Sequence, residues 1–200
     1  TPGRDAARKE ASKLNVPRIG VRFRLPASMN QVEYFGRGPA ENYLDRNAGS
    51  MVGLYKSTAE ELYFPYVRPQ ENGHHTDTRW VSLSTGKKGL LIQADNTIGF
   101  NALRNSIEDF DDEEATGLSR QWSNFTPEQV ANHDEAAAKN VLRRQHHINN
   151  ITPRDFVEVC VDLKQQGVAG YDSWGSRPEP AYTLPANREY NWGFTLIPLK

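Results

Sequence analysis

The stretch Gly-Val-Ala-Gly-Tyr-Asp-Ser-Trp-Gly-Ser (167–176) places a large apolar ring in a polar, glycine-rich setting. Folding normally buries a tryptophan, so the question is what the ring of Trp174 contacts. One interpretation is a ligand platform, in which the ring stacks on the apolar C–H face of a sugar while Asp172 and Ser173 orient the polar edge. The alternative is a ring folded back onto the protein core, and spacing alone leaves both open.

The other reactive side chains do not form a recognisable catalytic pattern. Cys160 lies among valines, where burial would raise the pKa of its thiol, so we expect it to fill the core. Glycoside hydrolysis needs two carboxylates roughly 5 Å or 6.5–9.5 Å apart, and sequence cannot show which of the turn carboxylates, such as Glu41 and Glu71, meet in space. The sequence contains no nucleophile elbow, phosphate loop or dinucleotide fingerprint. We therefore predict no catalytic residue in this chain.

The histidines do not have the spacing of a metal site. Adjacent histidines in a strand point to opposite faces, and neither HExxH nor CxxC occurs, so we predict no bound metal. The polar segment Pro-Gln-Glu-Asn-Gly-His-His (69–75) is a turn that could border a cleft. Glu71, His74 and His75 are therefore candidates for a cleft rim, with buried or surface structural histidines as the alternative.

Composition narrows the class of protein. A chain of 200 residues suits one domain, and a net charge of −1 gives no nucleic-acid footprint. No apolar run approaches the roughly 18 residues needed to cross a bilayer, so we expect no membrane partner. A single cysteine allows no intrachain disulfide. The compartment stays open between bacterial cytoplasm and periplasm.

Period-two alternation of apolar residues predicts many short antiparallel strands. They are expected at 18–25, 31–36, 50–56, 61–67, 78–84, 89–94, 155–163 and 188–197, separated by Gly- and Pro-rich turns. In 155–163 the valines lie on one face and Phe156 and Cys160 on the other, which indicates a strand covered on both sides. One helix is expected at 126–139, and the acidic run 108–114 is expected to be a solvated surface loop. The fold class is thus all-β, with 1–16 a linker or frayed segment and 17–200 a β-sandwich domain.

Three motifs together resemble a known family. They are Gly-Arg-Gly-Pro-Ala-Glu-Asn-Tyr-Leu-Asp-Arg (36–46), the segment 65–80 that contains Pro-Gln-Glu-Asn-Gly, and the segment 161–175 that ends in Asp-Ser-Trp-Gly. In order and spacing they resemble the C-terminal, small-chain domain of bacterial β-galactosidases of glycoside hydrolase family 2, over about residues 17–200. The resemblance implies a large antiparallel supersandwich, similar to galactose mutarotases, with a short helix in a long connection. It also implies a retaining β-galactosidase in which this domain packs against a TIM barrel that carries the catalytic glutamates.

The same resemblance assigns roles to single residues. Trp174 would reach the active site and contact the β-galactoside, with Asp172 and Ser173 shaping its loop. The magnesium and sodium sites of the family would belong to other domains, so no cofactor is expected in this fragment. The family more often has glycine at Ala169 and an acidic or small residue at Tyr171, so Tyr171 could crowd or extend the sugar surface.

Two other functions remain open from the sequence. A stand-alone carbohydrate-binding module would use Trp174 without a partner domain. A mutarotase-like epimerase would need a histidine and a glutamate facing one pocket, for which His74 or His75 with Glu71 are the candidates.

Overall fold

The computed structural model describes residues 14–67, 69–110, 148–172 and 175–200. These residues form β1 (Arg18–Pro26), β2 (Gln31–Gly38), β3 (Met51–Thr58), β4 (His75–Ser84), β5 (Gly89–Leu103), β6 (Phe156–Gln165) and β7 (Phe194–Leu199). Three short 3-10 helices lie at Ile107–Phe110, Ile148–Asn150 and Pro180–Tyr182. All strand pairs are antiparallel, which confirms the all-β prediction. Among the described residues, no helix has the length and apolar character needed to cross a bilayer.

The seven strands form one sheet in the order β1-β6-β5-β4-β2-β3, with β7 also paired to β5. Along one edge β5 has two partners: its first half pairs with β7, and its second half pairs with β6. The register between β4 and β5 shifts between His75 and Trp80. Such irregularities bend a strand. The second motif leads into the start of β4, and the third motif runs from the end of β6 into the loop that follows it.

The core follows the alternation of the strands. Val157, Val159 and Val161 of β6 are buried on one face of the sheet, together with these members of the neighbouring strands: Val32, Tyr34, Val81, Leu83, Ile92, Phe100 and Ala102. Removing this apolar surface from water is the main favourable term in folding. The other face of β6, with Cys160 and Asp162, is buried too, so the predicted covering of this strand on both sides is confirmed.

Two strand predictions differ from the structure. Residues 61–67 form a loop, because Pro65 has no N–H for a ladder and Asn72 supplies a substitute. The amide of Phe64 donates to Asn72 Oδ1 (2.8 Å) and Asn72 Nδ2 donates to the Phe64 carbonyl (2.6 Å). In the last predicted strand only the part from Phe194 onward pairs with β5.

Other expectations meet the structure only in part. The helix at 126–139 and residues 111–114 of the acidic run lie outside the described residues. Asp109 of that run is not solvated: it is buried and pairs with Arg154. The described end of the predicted linker pairs with 184–186, where the Val16 amide donates to the Leu184 carbonyl (2.8 Å).

Candidate functional site

In the loop that follows β6, hydrogen bonds to side chains join residues 171–172 to Ser176. The amide of Tyr171 donates to Ser176 Oγ (3.0 Å), and the amide of Ser176 donates to Asp172 Oδ1 (3.3 Å). Asp172 is exposed, while Ser173 and Trp174 lie outside the described residues. The alternatives for the Trp174 ring therefore both stay predictions, and the structure describes the frame that carries it.

Asp45, from the first motif, anchors the start of this loop. Its Oδ2 accepts a hydrogen bond from the Ala169 amide (2.8 Å), and its Oδ1 accepts one from the Val168 amide (3.2 Å). The Tyr171 hydroxyl lies 3.4 Å from Oδ2. Hydrogen bonds from backbone amides to a carboxylate are charge-assisted and therefore strong. One side chain thus fixes a segment more than 120 residues further along the chain.

Neighbouring residues of the first motif bind the second motif. Asn42 is buried, and its Oδ1 accepts hydrogen bonds from the amide (3.0 Å) and the hydroxyl (2.6 Å) of Thr76. Glu41 Oε2 accepts hydrogen bonds from the Gly73 amide (2.7 Å) and the Tyr43 hydroxyl (3.1 Å). Segment 41–45 therefore joins all three motifs into one site.

The two candidate rim histidines lie inside the fold. His74 Nδ1 is 2.8 Å from Asn101 Oδ1, and His75 Nδ1 is 3.0 Å from the Gly73 carbonyl. Burial lowers the pKa of His74 to about 3, so this imidazole is neutral at physiological pH. Both side chains are buried. The third candidate, Glu71, is partly exposed and pairs with Arg18 (3.1 Å).

A buried polar cluster around Arg18 lies beneath the motif site. Arg18 donates to Asn101 Oδ1 (2.9 Å) and Gln165 Oε1 (2.6 Å), and its Nε lies 3.2 Å from Asp162 Oδ2. Asp162 is fully buried, and neither of its carboxylate oxygens accepts a well-aligned hydrogen bond from the described residues. Burial raises the pKa of Asp162 to about 7, although the Arg18 cation opposes that shift. Sequence reasoning missed this cluster, although its signal was present as acidic residues alternating with valines in β6.

A hollow of about 280 Å³ lies beside the base of the loop. Its lining is amphipathic: Leu44, Leu163, Lys164, Arg188, Glu189 and Tyr190. The hollow adjoins the loop in two places. Leu44, which lines it, precedes Asp45 in the sequence. The Gly167 amide donates to the carbonyl of Tyr182 (2.8 Å), whose neighbours Ala181 and Thr183 also line the hollow. Among the described residues, no group of three or more His, Cys, Asp or Glu side chains is arranged to hold a metal ion.

Comparison with known proteins identifies the family to which this chain belongs. The family model described as "Beta galactosidase small chain" matches residues 4–196. This chain belongs to the β-galactosidase small-chain family. It is 35% identical over 185 residues to a beta-galactosidase of Priestia megaterium, covering 92% of this chain and 15% of that protein.

Further relatives have the same name. A beta-galactosidase of Arthrobacter sp. is 40% identical over 111 residues, covering 52% of this chain and 11% of the relative. One from Vibrio cholerae is 29% identical over 181 residues, covering 90% of this chain and 14% of the relative. The chain thus spans only 11–15% of the length of these proteins, and it matches one part of each of them.

Proposed function

We propose that this chain is the C-terminal domain of a retaining β-galactosidase that hydrolyses terminal β-D-galactosides. Its role is to support the barrel of the parent enzyme and to supply Trp174 as a sugar contact. The observation that carries this proposal is the hydrogen bonding of the described residues that flank 173–174: Asp45 accepts a hydrogen bond from the Ala169 amide, and Ser176 exchanges hydrogen bonds with Tyr171 and Asp172. Hydrogen bonds that hold the flanking backbone suit a side chain that must meet a ligand in one orientation.

The contacts of the nearby carboxylates also support a fragment without its own catalytic pair. Glu41 and Asp45 accept hydrogen bonds from backbone amides, and Glu71 pairs with Arg18. Each of these groups has a structural partner, and a general acid or nucleophile must instead face the reacting bond. The catalytic glutamates, and any magnesium or sodium, are assigned to the other domains of the parent enzyme.

The proposal is tested by hydrolysis of a chromogenic β-galactoside. The 200-residue chain alone should show no turnover, whereas the full-length protein that contains it should hydrolyse the substrate. In the full-length protein, Trp174→Ala should raise KM by roughly 5- to 150-fold, taking a lost stacking surface as about 1–3 kcal/mol by analogy with base stacking. Trp174→Phe keeps an aromatic face and should lose much less.

Three results would contradict parts of this proposal. Robust turnover by the isolated chain would show that it contains a catalytic pair. An unchanged KM in Trp174→Ala, with the protein folded, would remove the proposed sugar contact. If tryptophan fluorescence shows that the isolated chain binds galactose, that result would instead favour the carbohydrate-binding-module alternative.

A further inference from the structure

The outer face of β2, β3 and β4 carries a row of apolar side chains. In β2, Val32 and Tyr34 are buried in the core, so the alternating Phe35 lies on the opposite face. Phe35 pairs with Leu54 of β3 and with Trp80 of β4, and side chains of cross-strand partners lie on the same face. Phe35 is 38% exposed, Leu54 is 59% exposed, and Trp80 is partly exposed. These three side chains form an apolar row that crosses three strands and is open to solvent.

A polar hollow of about 430 Å³ adjoins the apolar row. Glu33 of β2 pairs with Lys56 of β3 and Ser82 of β4, two residues along each strand from the apolar row and on the same face. The polar lining of the hollow includes Gln31, Glu33, Lys56, Glu61, Ser82 and Ser84. Ligand pockets in proteins have volumes of roughly 300–1,000 Å³. The hollow therefore has the size of a ligand site, and its ligand would also reach the apolar row.

The charged groups of the hollow already have partners within the chain. Lys56 Nζ lies 3.4 Å from Glu33 Oε2. Glu61 Oε2 accepts hydrogen bonds from the Thr58 amide (3.1 Å) and the Ser57 hydroxyl (3.3 Å). Paired charges give little attraction for an ionic ligand, whereas carboxylates, amides and hydroxyls retain lone pairs and donors for neutral hydroxyl groups.

We propose that this face of the sheet binds a neutral oligosaccharide, with the C–H faces of the sugars on the apolar row and their hydroxyls in the polar hollow. Sugars combine these two kinds of surface, and a mixed apolar and polar site suits them. Arg79 supports the ring of Phe35, because its guanidinium carbon lies 5.7 Å from the ring centroid. A protein covering this face would have to bury the pair of Lys56 and Glu33, which costs desolvation energy. The site does not depend on the sugar contact proposed above.

The test is isothermal titration calorimetry of the 200-residue chain with three neutral tetrasaccharides: β-1,4-galactotetraose, cellotetraose and maltotetraose. At least one should bind, and Phe35→Ala should weaken its affinity at least about fivefold, by analogy with stacking of a base on an aromatic ring. Gln31→Ala should weaken it about 2- to 10-fold through the loss of one hydrogen bond. Gln31 is exposed, so this variant keeps the test valid should Phe35→Ala not fold. Val21→Ala is the matched control and should bind as the parent does, since Val21 is an exposed apolar residue of β1, at the opposite edge of the sheet.

Two results of this titration would overturn the inference. One is the absence of binding heat with all three tetrasaccharides. The other is binding that stays unchanged in both Phe35→Ala and Gln31→Ala, which would place the sugar elsewhere on the chain. Neither result bears on whether the full-length protein hydrolyses β-galactosides.

A second measurement tests whether a protein surface covers this face instead. Leu54→Cys is introduced into the 200-residue chain and into the full-length protein, and its reaction with a maleimide is followed relative to the parent proteins. Cys160 adds little background, because burial raises the pKa of its thiol to about 12. Equal labelling rates in the two proteins would support an open sugar-binding face. Rapid labelling of the 200-residue chain with protection in the full-length protein would show that other domains cover the apolar row, and would overturn the inference.

Discussion

Replacing Asp162 by asparagine should remove a pH dependence from the stability of the chain. Asp162 is fully buried beside Arg18, and burial raises the pKa of its carboxyl from 3.8 to about 7. Because the folded state prefers the protonated form, the stabilising contribution is complete below pH 3.8 and is lost as the pH rises to about 7. Asparagine has the same shape and does not titrate in this range.

The size of the effect follows from linkage. Between the two pKa values, the free energy of unfolding should fall by about 1.4 kcal/mol for each pH unit through this residue alone. The total between pH 4 and pH 7.5 is on the order of 4 kcal/mol. Groups with lowered pKa values, such as Glu108, change stability in the opposite direction at lower pH, but they are common to both proteins and cancel in the difference.

The assay is urea unfolding of the 200-residue chain, followed by tryptophan fluorescence at several pH values from 4.5 to 8.5. The Asp162→Asn variant should gain stability relative to the parent chain as the pH rises. Arg18→Met provides the converse test: it leaves a buried carboxylate without its cation and should cost about 3–5 kcal/mol above pH 7, and less at pH 4.5. A difference between Asp162→Asn and the parent that stays constant with pH would refute the reasoning, because it would mean that Arg18 fully offsets the burial of the charge.

Three further outcomes are expected. Gly99→Ala should destabilise the chain by about 1–3 kcal/mol in urea unfolding, because its Cβ would lie 2.6 Å from His74 Nε2. Arg154→Ala should lower the thermal midpoint, because it leaves the carboxylate of Asp109 buried without its cation, whereas Arg154→Lys should retain part of the stability. Tyr171 is 57% exposed, so Tyr171→Ala should leave stability within about 0.5 kcal/mol of the parent while changing KM for galactosides with bulky aglycones in the full-length protein.

The sheet was largely predictable because alternation reports burial directly. In β6 the valines on one face and Cys160 on the other correctly indicated a strand that is buried on both faces. The prediction failed at 61–67, where the aromatic residues suggested a strand but the main-chain hydrogen bonds go to the side chain of Asn72. A local pattern shows which residues tend to be buried, and it does not show which distant group satisfies the backbone.

The candidate site shows the same limit more strongly. The motif 36–46 could be recognised as a unit, but its partners could not: Glu41 and Asn42 bind the second motif more than 30 residues later, and Asp45 binds the third motif more than 120 residues later. Each of these side chains accepts a hydrogen bond from a backbone amide, so carboxylates of the kind considered for catalysis in the sequence serve here to hold loops. That use explains why a motif without a catalytic pair can still matter for the fold: each of these side chains fixes a segment that lies far away in the sequence.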